Sequence, residues 1–171
     1  MAIYKNISGE LTQELIAPGD QPTLSSVLLT NIQKVSTCKV DLYIEKKLSG
    51  KFYLLKQAEL PIGASLLLDN LKIGTGNSDF GLYIKLTDGA TFTLTGSIDV
   101  TGTNVNVPGT NTLFLSELSI GDEVVISGET RTIAGITSDT AATVTAAFGS
   151  DLANDTTPDC NPTALVDVII N

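Results

Sequence analysis

Period-two alternation of apolar and polar residues is the feature that most restricts the fold of this chain. In the segment Cys38–Lys47, Val40, Leu42 and Ile44 alternate with charged or aromatic residues, and Phe80–Thr87 alternates in the same way. Because successive side chains of a strand point to opposite faces of a sheet, this pattern predicts half-buried β-strands. Similar segments recur along the chain, with turns containing Gly or Pro between them. Together they predict an all-β protein built as an antiparallel β-sandwich.

The same alternation returns at the end of the sequence. In Leu165–Ile170, the residues Val166, Val168 and Ile170 fall on one face of a predicted strand. Such a strand is more stable when it pairs inside a sheet, and an insertion in a surface loop costs little loop-closure entropy. We therefore predict a discontinuous β-sandwich domain made of residues 1–94 and 163–171, with residues 95–162 inserted as a small β-barrel-like module. Two consecutive domains are the alternative that the sequence leaves open.

The charged residues also divide the chain near residue 95. Nine of the ten Lys and Arg residues precede it and only Arg131 follows, whereas nine acidic residues precede it and ten follow. The first part therefore sums to zero, and the second part carries the whole formal charge of −9. This contrast indicates two modules with different roles. Because nucleic-acid binding without sequence preference needs a basic surface, we expect no nucleic-acid partner.

The inserted module shows several short strand-like segments, a hairpin at residues 127–129, and a loop or single helical turn over residues 116–122. The strand candidates are Asn104–Val107, Thr112–Leu115, Glu123–Ser127, Thr130–Ile136 and Thr143–Ala146. The expected core residues are Phe114, Leu118, Ile120, Val124, Ile126, Ile133, Ile136, Val144 and Phe148.

The residues that most enzymes use for catalysis are missing or scattered. The chain contains no histidine, which removes histidine-dependent nucleophilic and metal sites, and it has no phosphate-binding glycine motif. The adjacent acids Asp122 and Glu123 are expected on a solvated surface. The acidic segment 151–159 offers oxygen ligands for a hard cation but lacks EF-hand spacing, so a polar loop is favoured there. We predict no enzymatic activity, no cofactor and no metal.

The two cysteines and the hydropathy pattern bear on where the chain folds. Cys38 lies in a strand-like segment, where a buried free thiol is expected, and no spacing rule supports a disulfide with Cys160. No apolar segment typical of a signal peptide follows Met1, and no apolar run approaches the roughly 18 residues of a spanning helix. We therefore expect a soluble protein that folds in a cytoplasm without a membrane partner.

Three tyrosines mark a candidate interface. Tyr43, Tyr53 and Tyr83 are predicted on the outward face of the sheet, with Lys46 and Lys47 beside them. Aromatic rings with a polar end are common at protein interfaces, so these residues are candidates for contact with a subunit or a sugar. Ordinary surface or second-layer packing is the reading of the same residues that the sequence favours.

Residues 109–148 resemble a module that recurs in virion proteins of tailed bacteriophages. The resemblance rests on Gly109–Phe114, then Leu118–Thr140 with its Gly-Asp turn and Gly-Glu-x-Arg hairpin, then Thr143–Phe148. The remaining sequence is similar in pattern to small β-sandwich proteins of phage particles, in the segments Ser26–Ile32, Val40–Lys47, Pro61–Asn70 and Val166–Asn171. The module carries no catalytic residues in those proteins.

This resemblance implies a phage structural protein, most simply a capsid decoration (cement) protein. The sandwich would then dock on the lattice of the major capsid protein, with copies contacting one another as a homo-oligomer such as a trimer. The implied location is the virion surface, after assembly in the cytoplasm of the bacterial host. The alternative implied by the same resemblance is a neck, tail or fibre accessory protein with an adhesive or host-recognition role.

Overall fold

Antiparallel strands make up most of the computed structural model. It describes residues 2–20, 23–46, 50–71, 73–74 and 80–171, with residues 23 and 74 as backbone only. Strand accounts for 58% and helix for 3%, which confirms the prediction of an all-β fold with antiparallel sheets packed together. In chain order the described elements are β1 (Ile3–Ser8), β2 (Gln13–Ile16), β3 (Thr23–Leu24), β4 (Val27–Asn31), β5 (Cys38–Lys46), β6 (Gly50–Leu60), β7 (Ser65–Leu68), β8 (Ile73–Gly74), β9 (Phe80–Thr87), β10 (Phe92–Thr93), β11 (Ser97–Val100), β12 (Asn106–Thr110), α1 (Phe114–Glu117), β13 (Glu123–Ile126), β14 (Glu129–Ser138), β15 (Ala141–Val144), β16 (Leu152–Asp155), β17 (Asp159–Asn161) and β18 (Leu165–Ile170).

The chain divides into two compact units. The first consists of Met1–Asp88 with Ala164–Asn171, and the second of Gly89–Thr163. The first unit ends at Asp88 rather than at the predicted residue 94, because β10 pairs with β17 of the second unit.

The first unit is a sandwich of two four-stranded antiparallel sheets with an additional short pair, β3–β8. One sheet has the strand order β1–β18–β4–β7 and the other β2–β9–β5–β6. The side chains of Val166 and Val168 on β18 are at most 1% exposed and belong to one core cluster with Leu29 from the same sheet and Leu42 and Ile84 from the other. The alternation that predicted β18, β5 and β9 therefore points into one apolar layer between the two sheets.

The second unit is one sheet of eight antiparallel strands, in the order β10–β17–β13–β14–β15–β12–β11–β16. Cys160 and Leu152, on strands near opposite ends of this order, belong to the same core cluster as Phe114. A single sheet that gathers these side chains into one cluster must curl around them. The β13–β14 hairpin turns at Ser127 and Gly128, with φ angles of 47° and 85°, the left-handed backbone of a tight two-residue turn.

The segment around α1 differs from its prediction. Thr112–Leu115 was predicted as a strand, but a helical turn begins at Phe114, and the N–H groups of Glu117 and Leu118 donate to the carbonyls of Leu113 and Phe114. The turn forms because Phe114 and Leu118, four residues apart, both enter the core. The strand prediction for this short segment was wrong because it was based on a period of two residues, whereas the buried residues are four apart.

Ile120 was predicted in the core and is instead 66% exposed. Its neighbour Gly121 has a φ of +97°, and the buried Asp122 side chain accepts a hydrogen bond from the N–H of Ser119 at 2.7 Å. This turn directs Ser119 and Asp122 inward, which leaves the intervening Ile120 side chain outside. The other predicted core residues are buried, with Ile136 only partly so.

Both cysteines are free and buried, one in each core cluster. Burial raises the pKa of the Cys38 thiol to about 11, and burial also raises the pKa of Cys160 above its ordinary value. The thiolate is the reactive form, so both groups are expected to be inert in the folded protein.

We predict that Ellman's reagent labels neither cysteine at pH 8 under native conditions and labels both in guanidinium chloride. The expected ratio of native to unfolded labelling rates is below about one hundredth, because neither contact with the reagent nor ionisation is favoured in the core. Rapid native labelling of either thiol would contradict the packing described for its core.

Candidate functional site

The three predicted interface tyrosines meet on the outer face of the β2–β9–β5–β6 sheet. Tyr43 on β5 lies opposite Tyr53 on β6 and opposite Tyr83 on β9. The ring centroids of Tyr43 and Tyr53 are 5.4 Å apart at a tilt of 52°, and those of Tyr43 and Tyr83 are 5.8 Å apart and stacked. With Lys51 and Lys56 these residues are called the tyrosine–lysine face below. Lys46, also predicted here, lies two residues after Ile44 and therefore on the opposite, core-facing side of β5. Lys47, also predicted here, lies outside the described residues.

Within this face the tyrosines have different exposures. Tyr43 was predicted on the outward side and lies there, but it is only 1% exposed because its neighbours cover it. Tyr53 is 42% exposed, and Tyr83 is partly buried. Tyr43 therefore supports the other two rings, and Tyr53 is the tyrosine that a partner can reach directly.

The lysines of this face lie over aromatic rings. The Nζ atom of Lys51 is 4.3 Å from the Tyr43 ring centroid, and that of Lys56 is 5.2 Å from the Tyr53 ring centroid. On the other side of the sheet, Lys46 Nζ is 5.4 Å from the Phe80 ring centroid. Across the described part of the chain, the one ion pair within 4 Å joins Arg131 and Glu129. Lys51 and Lys56 are thus oriented by π-systems, and no carboxylate in the described part of the chain forms an ion pair with them.

Two of the tyrosine hydroxyl groups of this face form side-chain hydrogen bonds. Lys51 Nζ donates to Tyr43 Oη at 3.2 Å, and this bond raises the pKa of Lys51. Tyr83 Oη donates to Glu14 Oε2 at 3.2 Å, and burial together with the Glu14 charge raises the pKa of Tyr83. Lys51 therefore stays charged and Tyr83 stays neutral well above neutral pH.

Gly81 leaves room for the Tyr83 ring. A Cβ at position 81 would lie 2.8 Å from ring atoms of Tyr83, so the ring lies over the glycine. An aromatic side chain that covers a strand glycine restores the packing that the missing side chain loses. Gly81 and Tyr83 are two residues apart on β9, a spacing visible in the sequence once the strand is assigned.

Carboxylates in the second unit serve a different purpose. Six of them accept hydrogen bonds from backbone N–H groups in loops or at the ends of elements; these acids are Glu117, Asp122, Glu129, Asp139, Asp151 and Asp155. Each such bond satisfies a donor that would otherwise need water. The excess of acids in this unit is therefore explained largely by loop anchoring.

Asp122 is the most buried of these carboxylates. It was expected on a solvated surface but is 0% exposed, with Oδ2 accepting from the N–H of Ser119 and Oδ1 from that of Thr163 at 2.9 Å. Thr163 also donates its hydroxyl to the carbonyl of Gly121 at 2.8 Å. The side chain thus joins the turn before β13 to the end of the second unit.

The acidic segment 151–159 is not the polar loop that was predicted, because it contains strand β16 and the first residue of β17. Asp155 accepts from the N–H groups of Ser127 and Thr157, Asp151 from that of Gly102, and Asp159 from the Thr93 hydroxyl. Among the described residues, no group of three or more Cys, Asp or Glu side chains is arranged to hold a metal ion.

Comparison with known proteins adds little. No family model matches the chain, and no curated protein matches it. A serine protease of Aeromonas sobria is a structural neighbour with 9% identity and a TM-score of 0.31, aligned over 100% of this chain and 27% of the protease. The chain thus spans about a quarter of that protein's length, and a similarity this low supports no conclusion on fold or activity. Within the described residues no helix has the length and apolarity needed to cross a membrane.

Glu129 provides a pH test of the carboxylate anchoring. Its side chain accepts from the N–H of Gly149 at 2.9 Å and from Arg131 at 2.8 Å, and the Gly149 bond is the main cause of its lowered pKa. A lowered folded-state pKa stabilises the protein above the unfolded value, about 4.3, and this contribution is lost as the pH falls through the folded value. We predict that Glu129→Gln lowers the urea midpoint at pH 7, and that its difference from wild type shrinks below pH 4.

The matched control is Glu123→Gln on the paired strand β13. It removes the same charge from an exposed position and reports the general effect of reduced net charge. An unchanged difference between Glu129→Gln and wild type from pH 7 to pH 3 would show that the Glu129 charge does not anchor this loop.

Proposed function

We propose that this chain is a structural protein of a tailed-phage particle and acts as a capsid decoration protein. In this proposal the sandwich unit docks on the lattice of the major capsid protein and stabilises the head. The resemblance of residues 109–148 to a phage virion module supports the assignment. The lack of histidine in the chain is compatible with the non-catalytic role that we propose.

The observation that carries the proposal is the tyrosine–lysine face. On this face of the sheet the rings of Tyr43, Tyr53 and Tyr83 pack against one another. The ammonium groups of two lysines lie over two of these rings. Protein interfaces are enriched in such aromatic residues, which bury large area with little loss of rotamer freedom. A surface of this kind suits contact with another protein in a shell.

A small contact surface on each copy is sufficient for this role when many copies bind the same shell. When many identical copies bind a symmetric lattice, each additional contact within the shell is made at high effective concentration. The sum over the shell then raises the stability of the particle, because a protein that binds only the assembled state shifts the equilibrium toward it.

The test is the copy number of the chain in purified particles, measured by quantitative mass spectrometry against the major capsid protein. We predict hundreds of copies per particle, and particles without the chain are predicted to rupture at a lower temperature. A count of about three to eighteen would overturn the decoration role and favour the neck, tail or fibre alternative, since connector and tail proteins occur as small rings. Absence from particles would overturn the virion assignment.

A further inference from the structure

Three exposed aliphatic residues lie within or close to the short helix α1 in the second unit. Leu113, Leu115 and Ile120 are 44%, 51% and 66% exposed, while Phe114 and Leu118 between them are buried. Three large aliphatic side chains presented outward within eight residues are unusual for a solvated loop. This group of three residues is called the α1 patch below.

The charge around the α1 patch is negative. The second unit contains no lysine, and its one base, Arg131, pairs with Glu129. Nine acids against one base give Gly89–Thr163 a formal charge of 1 − 9 = −8. Glu123, three residues after Ile120, is exposed. A partner for this patch should therefore combine an apolar surface with positive charge.

The β6 edge of the first unit has this combination. β6 is an outer strand of the β2–β9–β5–β6 sheet in the described chain, and it presents Phe52 at 55% and Tyr53 at 42% exposure. Lys51 and Lys56 flank these two rings and are exposed. Three acids lie near these lysines: Asp41, which accepts hydrogen bonds from the backbone N–H and side chain of Gln57, Glu45, which lies opposite Lys51 across the strands, and the exposed Glu59 further along β6.

We propose that the α1 patch of one copy of this chain packs on the β6 edge of a second copy. The contact is head-to-tail, because pairing two α1 patches would bring two strongly acidic units together, and pairing two β6 edges would bring Lys51 and Lys56 of both copies together. Contacts of this type use two different surfaces, so each copy can bind two neighbours and form a ring. The inference rests on the proposed role of the tyrosine–lysine face in protein contact, but it does not require a capsid.

Two single-surface variants test this contact. Lys51→Glu with Lys56→Glu disables the β6 edge, and Leu115→Glu with Ile120→Glu disables the α1 patch. In light scattering coupled to size exclusion at low ionic strength, we expect the wild type to exceed its 17.9 kDa monomer mass and each variant alone to be monomeric. Mixed in equal amounts, the two variants should form a complex of twice the monomer mass, because each retains the surface that the other lacks.

The matched controls place the same substitutions elsewhere. Lys39→Glu with Lys85→Glu changes two exposed lysines on other strands of the same sheet, and Val105→Glu changes another exposed aliphatic residue of the second unit. Both controls should associate like wild type, and all variants should keep the wild-type circular dichroism and melting temperature. A monomeric wild type, continued association of either disabled variant, or no complex in the mixture would overturn the proposal. The light-scattering experiment tests the contact between copies, and the copy number in particles tests the decoration role. A negative result in one experiment therefore leaves the other proposal standing.

Discussion

The pairing of β18 between β1 and β4 is the interaction on which the first unit depends. Val168 lies opposite Lys5 on one side and Leu29 on the other, and alternate β18 side chains fill the layer between the sheets. The N–H of Ala164, just before this strand, donates to the Asp88 carboxylate at 2.7 Å. These contacts join residues on either side of the second unit. Because they are very distant in sequence, we expect this pairing to form late in folding.

The same arrangement explains why a second unit is compatible with the sandwich. The chain leaves the first unit at Asp88 and returns at Ala164, and these two residues are hydrogen-bonded to each other. Closure of a long loop costs only about 0.6 kcal/mol more for each doubling of its length. The second unit also has its own core cluster, with Phe114, Ile126 and Phe148 at most 2% exposed. The stability of each unit can therefore be explained by the packing of its own core.

The sequence predicted those parts in which a regular pattern extends over several residues. β9 and β18 have the predicted bounds, because an inward-facing apolar residue recurs at every second position through the whole strand. The two-residue strands β3, β8 and β10 were missed because segments so short have no periodicity to read. Thr112–Leu115 was misassigned because four residues fit a strand and a helical turn equally well.

The candidate site was predictable to a similar degree. Tyr43, Tyr53 and Tyr83 were predicted on one face from strand alternation, and Lys51 could have been added, since it lies two residues before Tyr53 on the same strand. The burial of Tyr43 depends on the two rings that flank it, which is a tertiary property.

Register shifts explain why Lys56 could not be predicted. The pairing of β5 with β6 is irregular on both sides of Leu42, and Gln57 on β6 has a φ of 50°. Irregularities of this kind change which face later residues occupy.

The acidic composition has a clearer meaning in the structure than in the sequence. A formal charge of −9 first indicated a module with a separate role, but six carboxylates of the second unit hold loop N–H groups. A buried or loop N–H group that lacks a hydrogen-bond acceptor is energetically costly. The carboxylate side chains of this unit are the acceptors for such groups. The net field of the unit remains negative even though its individual carboxylates are engaged.

The central claim is that the tyrosine–lysine face is buried against another protein in the assembled state. Hydroxyl-radical footprinting of the free and the assembled protein measures this directly, with Tyr4 as an internal reference, since it is 72% exposed on the other sheet. The account predicts that modification of Tyr53 falls at least fivefold on assembly while that of Tyr4 changes less than twofold. Equal modification of Tyr53 in both states would contradict the claim.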